Sequence, residues 1–324
     1  MPAASEFELI ARYFSAVGVA RSEVALGVGD DCLLLQLPPH QQLAVSVDTL
    51  VADVHFPRNC DPLLLARRAL RVTVSDLAAM GAEPIAFTLA LTLDRVDEQW
   101  LQAFSAGLAD DATRFGMALS GGDTTRGPLP VLTLQVMGAV PPQQALRRDG
   151  AQPGDLIYVS GELGAARAAL AVLDKPASAL SAAERHWLDR YYLPSPRIEL
   201  GLALRGIASA ALDISDGFSA DLGHILERSA VGAVIDATAL PLAATLRDHP
   251  DALSFALSGG DDYELCFTAP AAQRDAIAAM SRELALPLTV VGEIQHAPGL
   301  RLRAADGTMQ AMAPMGYQHF ERSQ

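Results

Sequence analysis

Hydrophobic positions along the chain follow two different periods. Short apolar runs typical of β-strands are separated by longer stretches with the 3.6-residue period of amphipathic helices. The predicted strands are Leu43 to Val47, Ile85 to Leu93, Val131 to Gly138, Leu156 to Val159, Ala210 to Ile214 and Leu288 to Val291. This alternation of helices and strands is typical of an α/β or α+β protein, which is the fold class that we expect.

Residues that favour helix ends bound each predicted helix. Two predicted helices are Pro62 to Met80, with Gly81 as C-terminal cap, and Asp97 to Phe115, with Asp97 as N-cap. A third begins at the capping box of Ser181 and Glu184 and stops before Pro194. A short helix through Ile10 and Phe14 begins at Ser5 and Glu8. No apolar run approaches the ~18 residues of a transmembrane helix.

The periodicity lapses once, in a turn-rich stretch near the middle of the chain. Prolines and glycines gather between Pro141 and Gly154, and we place a domain boundary near residue 145. A chain of 324 residues is also long for a single hydrophobic core. We therefore expect two domains, 1–145 and 146–324.

Composition and charge exclude several functions. The chain has 38 acidic residues against 24 basic ones, a formal charge of −14, which disfavours binding to nucleic acid or anionic membranes. Lys175 is the only lysine and Pro176 follows it, so the chain has neither a P-loop nor the lysine of a protein kinase. Three scattered cysteines, and Glu6 and Glu8 in place of a basic signal segment, predict a cytoplasmic protein.

Aspartates recur where apolar segments end or are interrupted. They stand at Asp30-Asp31, Asp48, Asp123, Asp213 and Asp261-Asp262, and Asp76 interrupts an apolar helix. Half-buried carboxylates are costly unless they are paired or bound to a metal, and Mg²⁺ takes oxygen ligands. The set therefore favours a magnesium site. Any one aspartate taken alone is equally explained as a turn or cap residue, as Asp216 would be before a helix from Phe218 to Glu227.

One hexapeptide, Ala-Leu-Ser-Gly-Gly-Asp, occurs twice, at 118–123 and at 256–261. Each copy reads as an apolar segment that ends in a Gly-Gly turn and a carboxylate. The copies lie on opposite sides of the predicted boundary. We therefore expect one aspartate from each half to lie in similar local surroundings.

Seven short motifs occur along nearly the whole chain. They are Gly27-Val28-Gly29-Asp30-Asp31, Asp76-Leu77-Ala78-Ala79-Met80-Gly81, Gly121-Gly122-Asp123-Thr124-Thr125-Arg126-Gly127, Arg148-Asp149-Gly150 with Pro153-Gly154-Asp155, Asp213-Ile214-Ser215-Asp216-Gly217, Gly259-Gly260-Asp261-Asp262-Tyr263-Glu264-Leu265 and Gly316-Tyr317-Gln318-His319-Phe320. In this order they resemble the thiamine-monophosphate kinase family, part of a superfamily that includes aminoimidazole ribonucleotide synthetase and selenophosphate synthetase.

The resemblance implies an ATP-dependent, magnesium-assisted and direct phosphorylation of thiamine monophosphate to thiamine diphosphate. The implied metal-binding residues are Asp31, Ser46, Asp48, Asp76, Asp123, Asp213 and Asp216. The implied nucleotide contacts are Gly122, Asp123, Arg148 and Ser215, and the residues bordering thiamine monophosphate would be His55, Asp261 and Tyr317. Catalysis would depend most on Asp48, Asp123, Arg148 and Asp216.

The same resemblance implies the roles of the two domains. The N-terminal mixed-sheet domain would bind ATP and metal and pair across a homodimer interface, and the C-terminal α/β domain would cover it. Three positions depart from the family pattern: Asp261 replaces a usual glutamate, Val47 a frequent threonine and Asp53 a common glycine.

Two other members of the superfamily fit less well. Selenophosphate synthetase should carry a reactive cysteine in its N-terminal segment, where this chain has its first cysteine only at Cys32. The hydrogenase-maturation protein should end in a reactive cysteine, whereas this chain ends in Ser323-Gln324. A metal- or nucleotide-binding module without enzymatic activity is the alternative from a different class.

Overall fold

The chain folds into two compact units, each described separately. The structure, a computed structural model, describes residues 6–317. The first unit comprises Met1–Leu77 and Ala82–Gln143, and the second comprises Ala78–Gly81 and Gln144–Gln324. The main division therefore falls between Gln143 and Gln144, with residues 78–81 grouped with the second unit. Both units combine helices with mixed sheets, which confirms the expected fold class.

The first unit is built around a four-stranded sheet. Its strands β3 (Gln42–Val51), β4 (Glu83–Leu93), β5 (Ala118–Arg126) and β6 (Val131–Val140) lie in the order β3-β6-β4-β5. The β4–β5 pair is parallel and the other two pairs are antiparallel. A separate ribbon is formed by β1 (Val24–Leu26) and β2 (Leu34–Leu35), and the helices are α1 (Glu6–Tyr13), α2 (Pro62–Ala79) and α3 (Glu98–Arg114).

Local chemistry explains where the helices begin and end. The Asp97 carboxylate accepts hydrogen bonds from the backbone N–H groups of Gln99 and Trp100, as an N-cap does. Gly81 adopts a φ of +61° directly after α2, a conformation that glycine reaches without strain. These predicted caps are confirmed, whereas Ser5 of the predicted N-terminal capping box lies outside the described residues.

The second unit is built around a seven-stranded sheet in the order β13-β12-β9-β11-β7-β10-β8. The strands are β7 (Asp155–Ser160), β8 (Ala210–Asp213), β9 (Gly232–Asp236), β10 (Leu265–Pro270), β11 (Leu288–Gln295), β12 (Gly299–Arg303) and β13 (Met309–Met312). The β9–β12 pair is parallel and the other pairs are antiparallel.

Helices cover both faces of this sheet. They are α4 (Ala165–Ala169), α5 (Ala182–Tyr192), α6 (Ile198–Ala203), α7 (Phe218–Ser229), α8 (Ala252–Ser258) and α9 (Arg274–Glu283). Successive residues of β7 belong to different cores, because Ile157 and Val159 pack in one cluster and Tyr158 in the other. The predicted capping box of Ser181 and Glu184 is present at the start of α5.

The two copies of the repeated hexapeptide adopt unrelated structures, so the expectation of similar surroundings is wrong. The first copy lies in β5, where it pairs in parallel with β4. The second copy forms the end of α8 and the turn that follows it. The first copy is a strand because it pairs with β4, which lies elsewhere in the sequence. Six identical residues therefore do not determine a common conformation.

No helix among residues 6–317 is long and apolar enough to cross a membrane.

Candidate functional site

A cavity of about 350 Å³ lies within the first unit. Ile10, Phe14, Leu89 and Leu119 form apolar parts of its lining. The rest of the lining comes from two polar segments, residues 28–31 and residues 121–124. The cavity therefore brings together three residues that the sequence singles out, Asp31, Gly122 and Asp123.

Glycine backbone forms part of the polar side of this cavity for steric reasons. A Cβ at Gly122 would lie 1.9 Å from the carbonyl oxygen of Leu89, so only glycine fits against that strand. Gly29 has a φ of +120°, which a residue with a side chain rarely adopts. Asp30 is explained by the turn itself, because its carboxylate accepts a hydrogen bond of 2.8 Å from the backbone N–H of Asp31.

A second acidic group in the first unit joins β3 to α2. Ser46 and Asp48 lie on β3, and the hydroxyl of Ser46 donates a hydrogen bond to the carboxylate of Asp76 on α2. Burial, and then the negative charge of Asp76, raise the pKa of Asp48 to about 6. Asp48 and Asp76 are therefore close enough to repel each other when both are ionised.

The donors of this group fit a magnesium ion that arrives with a phosphate ligand. Within residues 6–317, no three acidic, histidine or cysteine side chains form a preformed metal cluster. Mg²⁺ usually takes only one or two protein carboxylates and completes its shell with water and phosphate oxygens. Asp48 and Asp76 supply two such carboxylates, and a cation would relieve the repulsion between them.

In the second unit, the end of β8 and the loop from it to α7 carry three predicted site residues, Asp213, Ser215 and Asp216. Asp213 ends β8 and is buried, and the loop continues to Gly217, the N-cap of α7. Of the pair Asp216-Gly217, Gly217 is the N-cap residue of α7. The backbone N–H groups of Ser215, Asp216 and Gly217 donate to the carboxylate of Asp221. Burial, and then the charge of Asp216, raise the pKa of Asp221 to about 7.

Two predicted substrate residues are attached to the same loop by their backbones. The N–H of Asp261 donates to the carbonyl of Ser215 at 2.8 Å, and the N–H of Tyr317 donates to the carbonyl of Asp216 at 3.0 Å. Tyr263 donates its hydroxyl to the Asp261 carboxylate at 3.3 Å. The second unit therefore brings Ser215, Asp216, Asp261 and Tyr317 together around one turn.

The structure places two other predicted residues apart from these groups. Arg148 is exposed, and its backbone carbonyl accepts a hydrogen bond from Ser229, the last residue of α7. Ser229 lies about 16 Å along the helix axis from the start of α7, which is the end next to Asp216. His55 follows β3 in the first unit, where its Nδ1 accepts a hydrogen bond of 3.0 Å from the N–H of Val51. Gln318, His319 and Phe320 of the terminal motif lie outside the described residues.

Two important acids were not among the predicted site residues. Glu264 is fully buried and receives hydrogen bonds from Arg190, Arg197 and Ser160, so it anchors the segment that follows Asp261. Its arginine partners lie about 70 residues earlier in the chain, which no local pattern reveals. Asp221 could have been found, since an acid in the first turn of an apolar helix signals a helix start.

Comparison with known families matches both halves of the chain. The family model described as AIR synthase related protein, N-terminal domain, matches residues 29–140. The corresponding C-terminal domain model matches residues 152–305. Together the two models cover most of the sequence.

Individual relatives match over nearly their whole length. Thiamine-monophosphate kinase of Salmonella typhimurium is 49% identical over 323 residues, which is 98% of this chain and 99% of the relative. The crystal structure of thiamine-monophosphate kinase from Stenotrophomonas maltophilia superposes with a TM-score of 0.82 at 48% identity, and the match covers 89% of this chain and 92% of that one.

A third match is a structure described as AaThiL complexed with AMPPCP and TMP. Its TM-score is 0.77 at 27% identity, and the match covers 88% of this chain and 89% of that chain. The family models and the full-length relatives agree with each other and with the motifs. The chain belongs to the AIR synthase related proteins and, within them, to the thiamine-monophosphate kinase family.

Proposed function

We propose that the protein transfers the γ-phosphoryl group of ATP to the phosphate of thiamine monophosphate, forming thiamine diphosphate and ADP. Identity of 49% across 98% of the chain with an enzyme named for this activity carries the proposal. The relative complexed with AMPPCP and TMP supports the same pair of substrates. A binding module without turnover has no comparable support.

The cavity of the first unit suits a nucleotide. Its apolar lining at Phe14, Leu89 and Leu119 offers surface for a base, and the glycine backbone at Gly122 allows close approach of a phosphate group. Asp31 and Asp123 line the same cavity and would hold the accompanying cation. We assign Arg148 and Ser215 to the nucleotide by family resemblance.

Magnesium, when bound, supplies the positive charge that neutralises phosphate oxygens of both anionic substrates. The residues proposed to hold it are Asp31, Ser46, Asp48, Asp76, Asp123, Asp213 and Asp216. Ser46 orients Asp76 through its hydrogen bond, so that the Asp76 carboxylate keeps a defined direction. The role of these side chains is to position and to compensate charge rather than to react.

We propose direct in-line transfer without a phosphoenzyme. Two of the three cysteines are disfavoured as nucleophiles, because burial raises the pKa of the Cys60 thiol to about 12 and also raises the pKa of Cys266. The aspartates of the motifs are assigned to the metal. Asp48, Asp123, Arg148 and Asp216 would align the two phosphates and stabilise the charge that develops between them.

His55, Asp261 and Tyr317 are proposed to border thiamine monophosphate. The Tyr317 ring is about half exposed and can stack on the cationic thiazolium ring or the flat pyrimidine. Asp261 is one methylene shorter than the family glutamate. It adopts a left-handed φ of +63° after Gly260, a conformation that aspartate tolerates better than most residues. We infer that this turn sets how far its carboxylate reaches.

We propose a homodimer in the cytoplasm, built on the sheet of the first unit. On the edge strand β3, the apolar residues Leu43, Val45 and Val47 alternate with inward-facing positions and are each about half exposed. Such a contiguous apolar strip is costly in water and is typical of a surface that another protein covers. A second copy of the chain is the occupant that the family resemblance implies.

The function is tested by turnover with purified protein. With ATP, Mg²⁺ and thiamine monophosphate, we expect equal amounts of ADP and thiamine diphosphate. Without thiamine monophosphate, isotope exchange between ADP and ATP should be absent, since no covalent intermediate is formed. Formation of ADP without thiamine diphosphate would contradict the assigned activity, and robust exchange without acceptor would contradict direct transfer.

The metal assignment predicts a selective effect of Asp48→Asn. The variant should lose at least ~100-fold in activity, because a positioning charge is removed at the reacting phosphates. Its thermal midpoint in EDTA should not fall, because the neutral amide no longer repels Asp76. Magnesium with ATP should raise the midpoint of the wild type and not that of the variant. Asp94→Asn, an exposed acid of the same unit, is the matched control. An equal magnesium-ATP shift in Asp48→Asn would remove Asp48 from the metal site.

The dimer proposal predicts that Val45→Arg dissociates the protein. The arginine would place an unpaired charge in the centre of the apolar strip. Sedimentation equilibrium at micromolar concentration should give twice the mass of the 34.2 kDa chain for the wild type and a monomer for the variant. Val96→Arg, at a position exposed to 51% compared with 49% for Val45, should stay dimeric. A monomeric wild type would overturn the proposal.

A further inference from the structure

Asp221 of α7 is a buried carboxylate, 4% exposed, that fixes the loop before its own helix. A single oxygen, Oδ2, accepts hydrogen bonds from the backbone N–H groups of Ser215, Asp216 and Gly217, each at 3.0 Å. Three successive peptide units are therefore held from one side by one side chain.

The carbonyl groups of the same loop bind other site residues. The carbonyl of Ser215 accepts the N–H of Asp261, and the carbonyl of Asp216 accepts the N–H of Tyr317. Ser219 adds a second attachment, because its hydroxyl donates to the Met315 carbonyl at 2.8 Å and accepts the Met315 N–H at 3.1 Å. A shift of the loop would therefore move Asp261 and Tyr317 with it.

Close packing of three backbones leaves this turn little freedom. A Cβ at Gly217 would lie 2.8 Å from Ser258, and a Cβ at Gly260 would lie 2.6 Å from the Ser215 carbonyl. A Cβ at Gly316 would lie 2.7 Å from the Asp216 carbonyl. The three glycines permit the contacts, and the Asp221 carboxylate supplies the polar anchor at their centre.

We propose that Asp221 is a positioning residue that sets the relative placement of Asp216, Asp261 and Tyr317. Being buried beneath the loop, it acts through the backbone and touches neither phosphate nor metal. The inference rests on the proposed function, since those three residues are the proposed metal and substrate contacts of this unit. A phosphoryl transfer that depends on alignment is sensitive to a displacement of this loop.

Two substitutions at this position separate acceptor geometry from charge. Asp221→Asn keeps one oxygen that can accept the three N–H groups, whereas Asp221→Ala keeps none. We expect Asp221→Ala to lower kcat/KM for thiamine monophosphate by about 100-fold, the loss typical of a misplacement near 1 Å. Asp221→Asn should retain kcat/KM to within about fivefold, because an amide oxygen still accepts the same hydrogen bonds.

Asp155→Ala is the matched control for simple destabilisation. Asp155 lies in the same unit, is 5% exposed, and accepts hydrogen bonds from the N–H of Gln152 at 2.9 Å and the hydroxyl of Ser209 at 2.6 Å. We expect this variant to lower the thermal midpoint and leave the KM for thiamine monophosphate unchanged. An equal kinetic loss in Asp155→Ala would overturn the positioning role.

The remaining outcomes are also decisive. If Asp221→Ala does not fold, Asp221→Asn carries the test of the anchor, and Ser219→Ala tests the second attachment. Ser219→Ala should raise the KM for thiamine monophosphate severalfold at unchanged kcat, because only the Tyr317 segment is released. Wild-type kinetics in both Asp221→Ala and Ser219→Ala would overturn the inference. An Asp221→Asn variant that loses as much activity as Asp216→Asn would overturn it too. Absence of turnover in the wild type would instead refute the proposed function.

Discussion

Repulsion among closely spaced carboxylates is the constraint on which the rest of this structure depends. Burial and then the charge of Asp76 raise the pKa of Asp48, and burial and then the charge of Asp216 raise the pKa of Asp221. The chain as a whole carries a formal charge of −14. This acidity disfavours binding of two anionic phosphate substrates without cations, which is why the proposed function includes magnesium. The proposed function therefore assigns to each acidic group a cation that lies between its carboxylates and a phosphate.

Packing makes this arrangement tolerable in the folded chain. The first unit places Asp48 and Asp123 within strands β3 and β5 and Asp76 on α2, around a sheet whose buried residues are largely apolar. The second unit binds the Asp221 carboxylate with three backbone N–H groups, which offset part of the effect of burial and of the Asp216 charge. In both units glycine allows the backbone to approach closely, at Gly122 against β4 and at Gly260 against Ser215.

Features determined by neighbouring residues could be predicted from the sequence. The Asp97 cap, the capping box of Ser181 and Glu184 and the glycine after α2 each depend on residues within one helical turn, and all are present. The six predicted strands correspond to β3, β4, β6, β7, β8 and β11. In the site, the motifs led to Asp31, Gly122 and Asp123, which line one cavity.

Features that depend on distant partners could not be predicted. The hexapeptide at 118–123 is a strand because β4 lies beside it, and its copy at 256–261 has no such neighbour. Seven strands were not predicted, β1, β2, β5, β9, β10, β12 and β13. They similarly gain their stability from pairing partners rather than from a clear local period. The buried pairing of Glu264 with Arg190 and Arg197 joins residues that only the fold brings together.

Calorimetric titration of the protein with ATP tests whether nucleotide binding requires magnesium, because it measures binding without turnover. In the presence of Mg²⁺, we expect a binding isotherm with saturable heat. In excess EDTA the heat should disappear, and added Mg²⁺ should restore it, because the acidic groups then have a cation between them and the phosphates. Equally tight ATP binding in EDTA and in Mg²⁺ would contradict the account.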